Sequence, residues 1–174
     1  QPDQKLIKSY QRNRIMAFLN SEDDEYSDAV NQQENSVMAI GSGQLTGKGL
    51  NNNEVASANK GNFVSENQTD FIFSVAGEEL GFIGCVAILL LLLLIIFECI
   101  RTSLRAKDTA GKIICCGVAS IVAVQGFINV AVVTKIMPNT GTPLPFVSYG
   151  LTSMVSLYIG MGLVLECGLT AIQN

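Results

Sequence analysis

Histidine is absent from all 174 residues, which removes Ser-His, Cys-His and His-metal chemistry together. Any catalysis must rest on carboxylates or lysines. The carboxylate in the least ordinary setting is Asp70 of "SENQTDFIFS": Gln68 and Thr69 precede it, Phe71, Ile72 and Phe73 follow it, and polar chain gives way to apolar chain at that point. Spacing alone favours an N-cap at the start of a helix, a role that suits Asp well. Glu78 and Glu79 follow two turns later. Adjacent helix residues point about 100° apart, so these two cannot form one paired-carboxylate site. They either pair with basic residues on helices beyond this chain or contact a substrate directly, and pairing is the preferred reading.

The cations that could meet an anionic group are Arg12, Arg14 and Lys48. Lys48 lies in "GSGQLTGKGL", which imitates a phosphate loop and fails its spacing. Ser42 takes the place of the first Walker glycine and Gly49 follows the lysine where Ser or Thr belongs. A dinucleotide fingerprint fails at Thr46. What survives is a flexible backbone with exposed amides and one cation. The five cysteines, Cys85, Cys99, Cys115, Cys116 and Cys167, fall in or beside apolar runs with no C-x-x-C pair. They are expected to pack within a membrane rather than bind metal.

The elements that must position these residues divide sharply. The chain is 48% apolar with a net charge of -4, but most acidic side chains precede Phe71, and the remainder is strongly apolar. Only Glu98 is charged from Leu80 to Ile100, and nothing is charged from Ile113 to Thr134 or from Ile136 to Leu165. Each run reaches the roughly 20 residues needed to cross a hydrocarbon core as a helix. The expected fold is an all-α polytopic membrane protein, with an outer region over residues 1–70 and a membrane region over 71–174. The spans are placed at about residues 75–100, 113–134 and 149–168. Arg101, Arg105, Lys107 and Lys112 crowd the first link while the second offers Lys135. The first link is therefore expected on the cytoplasmic side, with residues 1–70 and "KIMPNTGTPLPFVSYG" on the outer side and the C-terminus cytoplasmic.

Leu6, Ile7, Tyr10, Ile15, Phe18 and Leu19 recur at helical spacing beside Lys5, Lys8, Arg12 and Arg14. This predicts an amphipathic helix near a surface, its basic margin either solvated or gripping an anionic substrate. A second short helix is expected over Ala29 to Ile40, ended by the glycine-rich stretch. Gln125 and Asn129, four apart, are candidates for hydrogen bonds between helices. Pro138, Pro143 and Pro145 predict irregular backbone at membrane depth that forms one wall of an external cavity. The beginning, Gln-Pro-Asp, has neither Met nor signal-peptide character, and the chain reads as the back end of a longer one.

With these pieces in order, the sequence resembles the SEDS family of shape, elongation, division and sporulation proteins. The stretches that carry the resemblance are "YQRNRIMAFLN", "AIGSGQLTGKGL", "TDFIFSVAGEELGFIG", "RAKD", "FINV" and "PNTGTPLPFVSYG". The opening stretch looks more like the RodA branch. The resemblance implies a polytopic bacterial protein of the cytoplasmic membrane, of which this chain is the large outer loop and the last three helices of a larger bundle. It implies a peptidoglycan glycosyltransferase that polymerises undecaprenyl-pyrophosphate-linked disaccharide-peptide beside a class B penicillin-binding protein, with membrane lipid and no nucleic acid as further surroundings.

The family's essential Asp, in its "HTDF" motif, falls on Asp70, with Gln68 where the family usually has His, Ser65 in place of a common proline, and Leu151 in place of a glycine. Asp70 is then the expected catalytic base, its pKa raised by partial desolvation beside Phe71 and Phe73. Arg12, Arg14, Lys48, Gln68 and Thr69 are the expected substrate-binding residues, with a divalent cation as a further aid to the departing pyrophosphate. Two other functions stay in view: movement of the lipid-linked precursor across the bilayer, and a non-catalytic scaffold for the transpeptidase.

Overall fold

The computed structural model describes Phe18, residues 27–49 and residues 70–172, and these are all-helical with no strand among them. The elements are α1 (Ser27–Ser42), α2 (Ile72–Arg105), α3 (Thr109–Val133) and α4 (Leu151–Ile172). The amphipathic helix expected on the apolar positions from Leu6 to Leu19 lies outside the described residues but for Phe18. The last three helices are each long and apolar enough to cross a membrane. α2 overruns its apolar run at both ends, α3 its run at the N-terminal end and α4 its run at the C-terminal end, because a helix continues through polar residues where only hydropathy stops. Arg101 and Arg105 accordingly belong to α2 and Lys112 to α3, and the link itself shrinks to residues 106–108.

α2 packs chiefly against α3, and α4 closes against both. The exposed side of α2 is a leucine-rich surface that includes Leu90, Leu91, Leu93, Leu94 and Phe97, whereas Leu92 turns inward. One core joins Ala39 of α1, Phe71, Phe73, Cys85 and Leu92 of the α2 region, Val122 and Val132 of α3, Leu144 of the following loop and Leu157 of α4. A second core at the other end gathers Cys99, Cys115, Val118, Ala119 and Val164. All five cysteines are unbridged, and Cys85, Cys99 and Cys115 are buried as packing groups.

α2 is not continuous. Gly81 stands at φ 68° and ψ −167°, a conformation essentially confined to glycine, and breaks the helix. In an unbroken α-helix the amides of Phe82 and Ile83 would donate to the carbonyls of Glu78 and Glu79, four residues back. Here Phe82 donates instead to the Gln44 carbonyl at 2.9 Å and Ile83 to that of Leu45 at 3.2 Å. The carbonyls released by this exchange are taken up by the Lys48 amide, which donates to Glu78 at 2.9 Å, and the Gly49 amide, which donates to Glu79 at 3.1 Å. The loop after α1 is thus spliced into the ladder of α2.

This corrects the expectation of a flexible loop with exposed amides. The Lys48 and Gly49 amides are bound to α2, and that of Gly47 to the Gly43 carbonyl at 2.8 Å. The splice also demands close approach: a Cβ on Gly47, itself at φ 78°, would overlap the Glu79 carbonyl, and one on Gly81 would overlap the Gly47 amide nitrogen.

α1 is held at a second place. Gln33 Nε2 donates to the carbonyls of Val132 at 3.0 Å and Met137 at 2.9 Å, and Ser36 Oγ donates to that of Val133 at 3.1 Å. These acceptors belong to the end of α3 and the residues beyond it, where carbonyls lack helical partners. Lys135, expected as the sole basic residue of the second link, pairs with Glu34 of α1 at 2.7 Å.

A Gly81→Ala substitution in the complete protein introduces both a strained φ and a backbone overlap, and should destabilise it by on the order of 3 kcal/mol. Gly41→Ala, where an added Cβ meets nothing within 4 Å, should leave it unchanged or stabilise it by up to about 1 kcal/mol. Denaturation midpoints in detergent check the contrast, and equal midpoints for the two variants would contradict the splice.

Candidate functional site

α2 begins at Ile72, and its N-cap residue is Phe71 rather than Asp70. The cap role that spacing favours for Asp70 is therefore corrected: Asp70 lies one residue outside the cap, in a turn, half-buried. The reason is local. Phe71 (1% exposed) and Phe73 (4% exposed) are drawn into the first core, and this places the start of the helix after Phe71. Ser74 reinforces that start, its amide and its hydroxyl both donating to the Phe71 carbonyl, at 3.0 and 2.6 Å.

The Asp70 carbonyl lies outside the helical ladder and is caught by Asn129, whose Nδ2 donates to it at 2.8 Å. The same nitrogen donates to the Thr142 carbonyl, also at 2.8 Å. Asn129 is thus the side chain that joins the beginning of α2 to the proline-bearing loop between α3 and α4. The expectation that Gln125 and Asn129 bond neighbouring helices is corrected by this arrangement, since the acceptors of Asn129 are main-chain carbonyls of two non-helical segments. Gln125 Oε1 and Asn129 Oδ1 are buried and find no hydrogen-bond partner among the described residues.

The loop is ordered by its own bonds. Asn139 Oδ1 accepts from the Gly141 amide at 3.0 Å, and Ser148 Oγ accepts from the Leu144 amide at 2.7 Å. Leu144, Pro145 and Ser148 are buried beneath it. Pro143 lines a cleft of about 390 Å³ between α3 and α4, together with Gln125, Thr152, Ser153 and Ser156. Leu151, in the place of the family glycine, is 81% exposed at the first position of α4, so no helix presses against it among the described residues.

Glu78 is buried at 2% exposure and forms an ion pair with Lys48 at 2.9 Å. Both halves of an earlier expectation change here. The preferred basic partner of Glu78 is supplied by this chain rather than by a further helix, and Lys48, placed among the substrate-binding candidates, already carries a carboxylate. The pairing follows from the splice, which delivers the Lys48 backbone to the Glu78 carbonyl. Glu79 is less buried than Glu78, as expected for adjacent residues on one helix. From Asp70 to Glu78 is about 12 Å along a helix axis, so the ion pair and Asp70 occupy separate levels of α2.

Arg12, Arg14, Gln68 and Thr69 lie outside the described residues. No group of three or more His, Cys, Asp or Glu residues that could hold a metal ion comes together among the described ones, and the buried Glu78 is committed to Lys48. Asn129 is the residue whose part sequence reasoning missed. Its polarity within an apolar span was the available signal, but no periodicity tells that its acceptors lie 59 residues before it and 13 after it.

Comparison with known proteins bears directly on this arrangement. The family described as cell cycle protein, of the FtsW, RodA and SpoVE type, matches residues 5–171. A probable peptidoglycan glycosyltransferase FtsW of Geobacter sulfurreducens is 37% identical over 157 residues, 90% of this chain and 41% of the relative. Stage V sporulation protein E of Bacillus subtilis is 40% identical, and peptidoglycan glycosyltransferase MrdB of Escherichia coli 37%, each over 161 residues, 92% of this chain and 42% of the relative. Identities this close do not single out one branch. The chain thus spans about two fifths of the length of these relatives. Its fold also superimposes, with a TM-score of 0.69 and 26% identity, on a chain solved in work on structural coordination of polymerization and crosslinking by a peptidoglycan synthase complex. The match covers 97% of this chain and 44% of that one. With the family match running over nearly the whole sequence and three apolar helices that can cross a bilayer, this chain belongs to the FtsW, RodA and SpoVE family of multi-pass membrane proteins.

Proposed function

We propose that this chain carries the catalytic carboxylate of a peptidoglycan glycosyltransferase, which polymerises lipid-linked disaccharide-peptide for cell elongation, division or sporulation. The observation that carries this reading is the setting of Asp70: a half-buried carboxylic residue at the start of a membrane helix, its main chain held by Asn129 and joined through it to the proline loop. Relatives named as peptidoglycan glycosyltransferases support the reaction class.

The chemistry fits that setting. An acceptor sugar hydroxyl gives its proton to the Asp70 carboxylate as its oxygen attacks the anomeric carbon of the donor. The bond from that carbon to the pyrophosphate oxygen breaks, and the electron pair leaves with the lipid pyrophosphate. A base at the boundary between the membrane and water stands where sugars on a lipid carrier are presented. Phe71 and Phe73, anchored in the core, keep the first turn of α2 from sliding along its axis. Arg12 and Arg14 are our candidates for neutralising the departing pyrophosphate, with Gln68 and Thr69 beside the base. Lys48 fits a structural part better, because its charge is met by Glu78.

The topology that serves this reaction puts residues 1–70 and the loop at 134–150 outside the cytoplasmic membrane, and the basic turn after α2 and the C-terminus inside. A class B penicillin-binding protein is the partner proposed to cross-link the product. The likeness to a chain of a peptidoglycan synthase complex supports that pairing.

Two measurements test the proposal. In the complete protein, Asp70→Asn should insert normally and lose polymerisation of purified lipid-linked substrate by about a hundredfold or more. Undiminished polymerisation would reject Asp70 as the base. For topology, single cysteines at the exposed Thr140 and Lys107 are introduced after the native cysteines have been replaced. A membrane-impermeant maleimide should label the first on intact cells and the second after permeabilisation alone. The reverse pattern would place Asp70 on the wrong side for extracellular polymerisation.

A further inference from the structure

We infer that Asn129 is a positioning residue for Asp70, acting through the main chain to fix the direction in which that carboxylate leaves the backbone. This rests on the reading of Asp70 as the catalytic base. Asp70 precedes the N-cap of α2, so the helical ladder does not hold its carbonyl, whereas the next carbonyl, that of Phe71, already receives the Ser74 amide. The peptide after Asp70 is therefore the last one before the helix whose orientation an outside group must set. Asn129 Nδ2 does so at 2.8 Å.

One nitrogen with two hydrogens is what the geometry uses. The second hydrogen reaches the Thr142 carbonyl, between Gly141 at φ 68° and Pro143, which has no amide hydrogen of its own. The start of α2 and the proline loop thus share one anchor. Asn is the shorter of the two side chains that offer two donors on a single amide nitrogen. The side chain is 1% exposed and its Oδ1 has no partner among the described residues. A residue selected for packing alone would not leave a buried acceptor unmet, which costs about 1–3 kcal/mol. The donor pair is the feature that explains its presence. Because Cβ direction follows the backbone dihedrals, a peptide that rotates at Asp70 carries the carboxylate away from its reacting partner. Misplacement by about 1 Å can cost a hundredfold in rate.

A matched control separates positioning from stability. Gln33 also donates two hydrogen bonds to backbone carbonyls near the end of α3, at 4% exposure, but to Val132 and Met137 rather than to Asp70. The complete protein in proteoliposomes is assayed as wild type, Asn129→Leu, Gln33→Leu and Asp70→Asn, with purified lipid-linked disaccharide-peptide. Amide hydrogen exchange is followed at residues 71–74. Asn129→Leu should lower kcat by about ten- to a hundredfold with KM within about twofold, and should speed exchange at residues 71–74. Gln33→Leu should lower the unfolding midpoint with kcat within about twofold of wild type and with exchange at 71–74 unchanged.

Wild-type kcat and exchange in Asn129→Leu, or losses in both that Gln33→Leu reproduces, would overturn the inference. Should Asn129→Leu not accumulate in folded form, Asn129→Ser, which keeps one donor, carries the same comparison. Full activity of Asp70→Asn would defeat the assignment of the base instead, and the exchange data would still decide whether Asn129 holds the start of α2.

Discussion

The constraint on which this fold turns is that backbone polar groups away from water must be paired, and α2 breaks this rule within its own ladder at Gly81. Left alone, the break would strand two amides and two carbonyls, each costing several kcal/mol in a hydrocarbon setting by the usual order of magnitude. The loop at 44–49 meets all four, donor for donor and acceptor for acceptor. Such an exchange cannot be made by a loop held at side-chain distance, and so Gly47 and Gly81 follow as consequences of the hydrogen bonding. The ion pair is a further consequence: the splice brings the Lys48 ammonium to the buried Glu78 carboxylate. Breaking such a buried pair from one side leaves the other charge uncompensated.

The same logic recurs wherever a helix ends. The last carbonyls of α3 have no partners in their own helix, and Gln33 and Ser36 of α1 supply donors there. At the start of α2 it is Asn129 that serves a carbonyl outside the ladder. α1 is consequently fixed between two membrane helices, by its following loop at the break of α2 and by its inner face at the end of α3. The region around Asp70 is held from α3 and from the proline loop. A polar segment outside the spans and three apolar helices become one body through side-chain and loop donors aimed at orphan carbonyls.

The sequence carries the spans plainly, because an apolar run of roughly 20 residues has few other uses, and the short helix α1 announces itself by Ala29 to Ile40 and by the glycines after it. Its bounds, Ser27–Ser42, differ only at fraying positions. What hydropathy cannot carry is direction within a pattern. Gly81 sits in "EELGFIG" as an unremarkable glycine, since the positive φ that breaks the helix arises from a tertiary exchange with residues 44–49. The same exchange turned amides that looked exposed into ladder bonds and gave Lys48 a partner 30 residues on. Asp70 looked like a cap because Asp is a good one; burial of Phe71 and Phe73 moved the cap one place along. Arg12, Arg14, Gln68 and Thr69 lie outside the described residues, so the parts proposed for them rest on the family resemblance, with charge as a further argument for the two arginines.

These corrections bear on how acidic residues near a bilayer are held. A charged group near the bilayer is ordinarily drawn into structural duty, and Glu78 shows this, buried against Lys48. At Asp70 the anchors act on the main chain. The helix start beside it is set by core packing of Phe71 and Phe73 and by Ser74, and its own main chain is held by an amide that carries no charge. A neutral donor fixes a peptide without adding a countercharge. Asp70 thus meets an uncharged side chain at its main chain, and Glu78 a charged one at its carboxylate. Glu78 pairs with Lys48 beside the break in α2, and the main chain at Asp70 is tied through Asn129 to the proline loop.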